Sequence, residues 1–281
     1  NSLNQIVQNL EIAQKELWKY GITSVHDFDG ADCFSALQKM ENEARLKIRV
    51  LKSIQLDNLE SAVNIGMATG FGSDYLRIGS AKLFADGALG PQTAAMISPY
   101  EDNPTNMGVL SLSSDQIFHY GKLASQSGIS LAIHAIGDLA NMIVLQGFER
   151  LRSYEQEMQL PHLNHRIEHV QILSKELVGK LADLGVTASV QPIHLISDME
   201  TAEKYWGSRS MYAYPFQSLL KSGTNMVFGS DSPVESPNPF LGIYAATTRS
   251  NLDGAPRENG WFPEQKISLL QAINAYTRAP A

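Results

Sequence analysis

Short apolar runs recur along the chain, and between successive runs lies a segment with helical periodicity. The runs fall at 22–27, 48–54, 76–84, 130–133, 165–169, 187–190 and 225–229. Helical spacing is read at 33–44, 58–68, 138–153, 215–222, 239–248 and 268–277, and in a segment opened by Ser174 and closed near Gly185. Ser113 with Gln116 three residues on predicts a capping box for a further helix ending at Gly128. Strands joined by helical crossovers pair in parallel, with right-handed connections. A barrel of this kind often runs to ~250 residues as one domain, so the 281 residues are read as a single domain over 1–281 without a linker. A (β/α)8 barrel needs eight strands and seven are counted. The pattern opens with a helix (Leu3, Ile6, Val7, Leu10, Ala13, Leu17, capped at Gly21), so the missing strand is assigned upstream of Asn1. The expected fold is therefore α/β, an incomplete TIM (β/α)8-type barrel of seven parallel strands with strand 1 absent. A doubly wound open sheet is the alternative. It would want a Gly-rich phosphate turn after its first strand, which Asp27-Phe28-Asp29-Gly30 supplies poorly.

Composition narrows the function classes. Lys plus Arg number 22 against 29 Asp plus Glu, a net charge of −7, and no basic block is present. Such a chain lacks the electrostatic footprint of a nucleic-acid binder. No window approaches the ~18 apolar residues of a membrane span, so no membrane partner is expected. One cysteine, Cys33, excludes an intramolecular disulfide framework and a cysteine-rich zinc site. The chain starts at Asn1 without Met, a signal peptide or a targeting motif, and stops just after a helical pattern. Both ends read as cut, and the compartment is left as cytoplasmic by default.

In such barrels chemistry sits at the C-terminal ends of the strands. The long segments 85–112, 191–213 and 230–238 all follow strands and are read as the loops of that face. Four residues lie at or just beyond strand ends: Lys82, His134, His169 and Asp231. His134 closes Ser-Leu-Ala-Ile-His; alone it reads equally as a buried, hydrogen-bonded histidine. His169 ends the next strand, and adjacent strand ends about 4.8 Å apart would let two imidazoles converge. Asp231 is either a turn cap or a carboxylate able to bind metal and shuttle a proton. Lys82 puts an ammonium inside an apolar strand, which is costly unless it is paired or neutralised. Either it salt-bridges Asp86 or Asp27, or carbon dioxide converts it to a carbamate that can ligate cations. His165 reads as barrel filling, and Arg166 with Glu168 as a structural ion pair behind the barrel. The glycine-rich 85–90 reads as a plain loop, and His26-Asp27 has no assignable role. His194, Asp198, Tyr205 and Trp206 are placed on a loop, for substrate contact or for packing.

Several longer motifs occur in consistent order. They are Gly-Ile-Thr-Ser-Val-His-Asp (21–27), Lys-Leu-Phe-Ala-Asp-Gly-Ala-Leu-Gly (82–90), His-Ala-Ile-Gly-Asp (134–138), Arg-Ile-Glu-His-Val-Gln (166–171), Ser-Val-Gln-Pro (189–192), Gly-Ser-Asp-Ser-Pro-Val-Glu (229–235) and the stretch 238–249. Together they resemble the amidohydrolase superfamily, in its family 3 branch, which includes N-substituted formamide deformylases and proteins described as exoenzyme regulators. The resemblance implies a TIM-barrel hydrolase with one or two metal ions. It places Lys82 as a carboxylated lysine formed with CO2, His134 and His169 as strand-end ligands, and Asp231 as ligand and general base. The implied reaction is attack of a metal-activated water on a small-molecule amide at a carbon–nitrogen bond. Nitrogen and oxygen ligands point to zinc ahead of manganese or iron.

The chain departs from that pattern in one respect. The family's first strand ends in His-x-His, and no two histidines here stand two positions apart. Its small β-sandwich, built from both chain ends, is likewise not found. The chain therefore reads as a fragment, expected to be inactive alone, with open strand edges that predict self-association into a homo-oligomer or a covered seam. A non-catalytic regulatory or binding protein that reuses the barrel is the competing reading. A phosphate-binding barrel would want a Gly-rich loop after the last strands, which 191–194 and 232–235 do not supply.

Overall fold

The computed structural model describes residues 2–254 and 259–280. Asn1 and Ala281, on which the reading of the two chain ends rests, lie outside the described residues. Strands β1 (Ser24–Asp27), β2 (Arg49–Gln55), β3 (Leu76–Phe84), β4 (Leu131–Ala135), β5 (Arg166–His169), β6 (Thr187–Val190) and β7 (Met226–Phe228) follow one another in sheet order. The helices are α1 (Leu3–Lys19), α2 (Ala31–Asn42), α3 (Leu59–Asn64), α4 (Ser114–Gln126), α5 (Asp138–Glu157), α6 (Val178–Asp183), α7 (Pro192–Trp206), α8 (Phe216–Lys221), α9 (Pro239–Thr248) and α10 (Leu269–Tyr276). The fold class is the α/β incomplete TIM-type barrel with seven parallel strands. The described residues cluster into two compact units. One comprises the described residues up to Leu83 with Tyr120–Ala132 and Glu155–Leu163, the other Phe84–His119, Ile133–Tyr154 and the described residues from Asn164 onward.

In the first unit α1 starts where Ser2 and Gln5 exchange backbone and side-chain hydrogen bonds, and it ends at Gly21, whose φ of 73° suits a residue without Cβ. The apolar faces of α1 and α2 meet the strands in a cluster of Val7, Ala36, Leu37, Met40, Leu46, Ile48, Val50 and Leu76. Each large side chain fully buried there contributes ~1.5–3 kcal/mol. Buried Gln14 holds the turn into β2, donating to Arg45 O and accepting from Lys47 N, both at 3.1 Å. β1 and β2 pair in parallel with Val25 opposite Val50, and β2 and β3 with Val50 opposite Leu76.

In the second unit β5, β6 and β7 pair in parallel, with Ile167 opposite Ala188 and Ser189 opposite Val227. Helix α5 buries Ala140, Val144, Leu145, Phe148 and Leu151, the i, i+4, i+8 stripe of a helix laid on a sheet. The predicted capping box at Ser113 and Gln116 is present, as is one at Ser268 and Gln271 opening α10. One prediction fails here. Segment 191–213 is not a long loop: α7 occupies Pro192–Trp206, followed by a 3-10 turn at Gly207–Tyr212. Pro192 stands in the first helical turn, where its missing N–H costs nothing. Ile193, Leu195, Met199, Ala202 and Trp206 then supply the buried face.

Candidate metal centre

The strand ends of the second unit are shaped by two departures from regular β geometry. β4 extends to Ala135, so His134 is a strand residue rather than the residue after one. β5 ends at His169, whose φ is +77°, followed by Val170 at +43°. Left-handed backbone is rare outside glycine and costs ~1–3 kcal/mol where other residues adopt it. The turn re-aims the His169 imidazole away from plain strand alternation. His165, in front of β5, stacks on Phe148 of α5 with ring centroids 5.3 Å apart, so it fills the layer under the helix and not the barrel interior. Alternation from His165 and Ile167 then places Arg166 and Glu168 on the opposite face. They form a buried ion pair at 2.6 Å, as read from the sequence.

The imidazoles of His134 and His169 converge as expected. Their centroids are 4.5 Å apart, edge to face at 71°. His134 Nε2 lies 2.8 Å from Gly87 O and 3.5 Å from Asp86 Oδ1, and its ring packs 5.3 Å from Phe84. A ring nitrogen facing a carbonyl oxygen must carry the proton, which leaves Nδ1 as the remaining lone pair of His134. Asp86 anchors the loop after β3. Its carboxylate is buried and accepts from Ile136 N at 3.0 Å, Gly137 N at 2.8 Å and Ala95 N at 2.9 Å. Burial pushes its pKa up to about 7, while the three amide donors pull the other way. Segment 85–90 is thus a loop, as read, but one tied by a buried carboxylate to the end of β4.

Gly137 of the motif His-Ala-Ile-Gly-Asp and Asn141 of α5 hold that strand end. A Cβ on Gly137 would stand 1.9 Å from Ala95 O, so the close approach of the loop backbone requires glycine there. Asn141, fully buried on the first turn of α5, directs Nδ2 at the carbonyls of Ala135, Ile136, Gly137 and Ile172, at 2.9–3.3 Å. It therefore ties the chain after His134 to the chain after His169.

Asp231 follows β7 with φ +56°, a third non-glycine residue in the left-handed region, and is exposed. It comes together with His169 and with His194 of α7: one ligand atom from each lies within 4.8 Å of the others. The sequence reading puts His194 on a loop, for substrate contact or packing, and not among the metal ligands. The signal that would have found it is the helix start at Pro192, which fixes it in the first turn beyond β6. Two nitrogens and one carboxylate oxygen form a donor set of the kind zinc takes. Ligands of one zinc lie ~3.3–4.2 Å apart at Zn–N and Zn–O lengths of ~2.0–2.1 Å, so the three atoms need contract by less than about 2 Å in side-chain rotation to share an ion. The residues present fit a divalent cation. Nearby Asp198 accepts from Gln171 Nε2 at 2.7 Å and from the Tyr214 hydroxyl, and burial raises its pKa.

Lys82 belongs to the first unit. It is 4% exposed on β3, with Nζ 4.5 Å from the Phe28 ring centroid. Asp27, one of the carboxylates considered for it, pairs with buried Lys52 at 2.6 Å. Among the described residues no helix is long and apolar enough to cross a membrane.

Comparison with known proteins accords with this geometry. The chain is 34% identical over 212 residues to Protein LONG AFTER FAR-RED 3 of Arabidopsis thaliana, covering 74% of the chain and 35% of that protein. It is 28% identical over 287 residues to the putative amidohydrolase YtcJ of Bacillus subtilis (strain 168), across 100% of the chain and 52% of the relative. A crystal structure of an uncharacterized metal-dependent hydrolase from Pyrococcus furiosus superposes with a TM-score of 0.86 at 30% identity, over 99% of this chain and 55% of that one. The chain thus spans about half the length of the relatives it matches end to end. The model of the family described as "Amidohydrolase family" matches residues 2–281. With that match over nearly its whole length, the chain belongs to the amidohydrolase family.

Proposed function

We propose that the protein is a metal-dependent hydrolase that cleaves carbon–nitrogen bonds of small non-peptide amides. The observation that carries this reading is the convergence of His134 and His169, 4.5 Å apart, with Asp231 beside His169 at the strand ends. The ion would be held by His134, His169 and Asp231, and zinc suits these nitrogen and oxygen donors. When bound, a divalent cation supplies Lewis acidity and lowers the pKa of water toward ~7. Asp231 acts as general base: it takes the proton from the attacking water as the carbon–oxygen bond forms. It then delivers that proton to the amide nitrogen as the carbon–nitrogen bond breaks. Its exposure leaves the carboxylate accessible to substrate from solvent.

Lys82 enters the proposal through the family pattern. Carbon dioxide would add to its neutral amine with loss of a proton, giving a carbamate oxygen as a further ligand. The test is a screen of N-formyl and N-acyl amides, read as amine release, with zinc-loaded protein and the same protein after chelation. Chelator-sensitive turnover is expected. Failure to turn over any amide with metal bound would favour the regulatory or binding reading instead.

A further inference from the structure

We infer that His194 is a metal-ligating residue, a further donor beside His134, His169 and Asp231 in the cation site of the second unit. The inference rests on the metal-dependent reading above and adds a ligand to it. His194 stands in the first turn of α7, where its N–H closes on Gln191 O at 3.1 Å, so its position is set by the helix start and not by a free loop. Its ring lies nearly parallel to that of His169, 24° between planes, with centroids 6.0 Å apart. That is the spacing of an offset-stacked pair, which keeps the two imidazoles side by side. One ligand atom each of His169, His194 and Asp231 lies within 4.8 Å of the others.

His194 Nε2 is buried and has no hydrogen-bond partner among the described residues. Leaving a buried ring nitrogen unsatisfied costs ~1–3 kcal/mol, and a native structure that tolerates it calls for an explanation. A cation accepting that lone pair removes the cost. The site has use for such a donor, because His134 turns its Nε2 to the Gly87 carbonyl. Asp198 lies four residues along α7, on the same helix face as His194. It is clamped there by Gln171 and Tyr214. A fixed carboxylate near a ligating imidazole is the usual means of raising ligand basicity.

The experiment is a cobalt titration of metal-free protein, followed by the visible d–d band, for wild type, His194→Ala, His194→Gln and His194→Cys. Wild type should bind Co2+. The Ala and Gln variants should weaken binding by more than the ~100-fold typical of losing an outer-shell partner, and should alter the band. His194→Cys should bind and gain a sulfur-to-cobalt charge-transfer band absent from wild type, which already contains Cys33. That gained signal requires the side chain at position 194 to touch the ion, so it stands even if the Ala variant unfolds. Variants that titrate as wild type, with no new band for the Cys variant, would overturn the role of His194 and leave the metal-dependent reading intact. A wild-type protein that binds no cobalt would overturn both.

Discussion

Replacing Asn141 separates a positioning role from simple space filling, because its two side-chain atoms face opposite demands. Nδ2 lies within 2.9–3.3 Å of four carbonyl oxygens, while Oδ1 is buried without a hydrogen-bond partner among the described residues. Asn141→Ala removes two N–H donors, worth ~0.5–1.5 kcal/mol each net. Together they sum to ~1–3 kcal/mol, and removing the unsatisfied Oδ1 offsets part of that, so a net loss of at most ~1–3 kcal/mol is expected. Asn141→Asp is nearly isosteric, yet it points a carboxyl at the same four carbonyls. An uncompensated buried charge costs ~3–5 kcal/mol, so at pH 7 the isosteric change should be worse than the truncation. Burial and the surrounding oxygens raise the pKa of the new carboxyl above its unfolded value of ~3.9. The folded state then binds the extra proton, and stability falls as pH rises from ~4 toward the raised pKa. Once the pH falls below the raised pKa, the Asp variant should therefore regain ~1.4 kcal/mol per pH unit relative to wild type, so its deficit is smaller at pH 5 than at pH 7. Urea unfolding at pH 5, 6 and 7 reads all three proteins. An Asp variant as stable as the Ala variant at pH 7, or one whose deficit does not shrink at pH 5, would refute the assignment of Nδ2 as the tie between the two strand ends.

Other outcomes follow from the same geometry. Asp231→Asn should lower amide turnover ~10²–10⁴-fold, the usual contribution of a general base, with the melting temperature little changed because the residue is exposed; unchanged turnover would remove Asp231 from the mechanism. Gly137→Ala places a Cβ 1.9 Å from Ala95 O and should cost ~1–3 kcal/mol as an overpacked contact, measured by urea unfolding. The Cys33 thiol, pushed up to about 12 by burial and then by Asp27 and Asp29, should resist a disulfide reagent at pH 8 until the protein is unfolded, since only the thiolate reacts. With 13C-labelled bicarbonate and zinc, a carbamate carbon resonance should appear and be absent from Lys82→Arg; its absence from wild type would end the carbamate proposal.

What could be read from sequence, and what could not, divides along physical lines. Alternating strand and helix periods were legible because every element buries one face, and that face repeats at 2.0 or 3.6 residues. Capping boxes such as Ser113 with Gln116 were legible because their partners lie three residues apart. The convergence of His134 and His169 was legible because neighbouring parallel strands bring successive strand ends together. Helix α7 was missed because Gln191-Pro192 looks like a loop, although proline in the first turn is where a helix tolerates it. That one misreading also hid His194, whose place depends wholly on the helix start.

The backbone at His169, Val170 and Asp231 lay beyond any local rule. Val170 is β-branched and among the residues least suited to positive φ, so local preference argues against the conformation it adopts. Only tertiary restraint can impose it. The restraint is visible next to the site, where Asn141 binds Ile172 O and Gln171 binds Asp198. The chain just after the turn is held from two helices, and the turn between must take what φ remains. Strain of ~1–3 kcal/mol per residue is sustained where it aims His169 and Asp231 at one point together with His194. Such aim cannot be encoded by the identity of residue 170 itself. It is encoded at Asn141 and Gln171, whose polar side chains look unremarkable until their carbonyl and carboxylate partners are known.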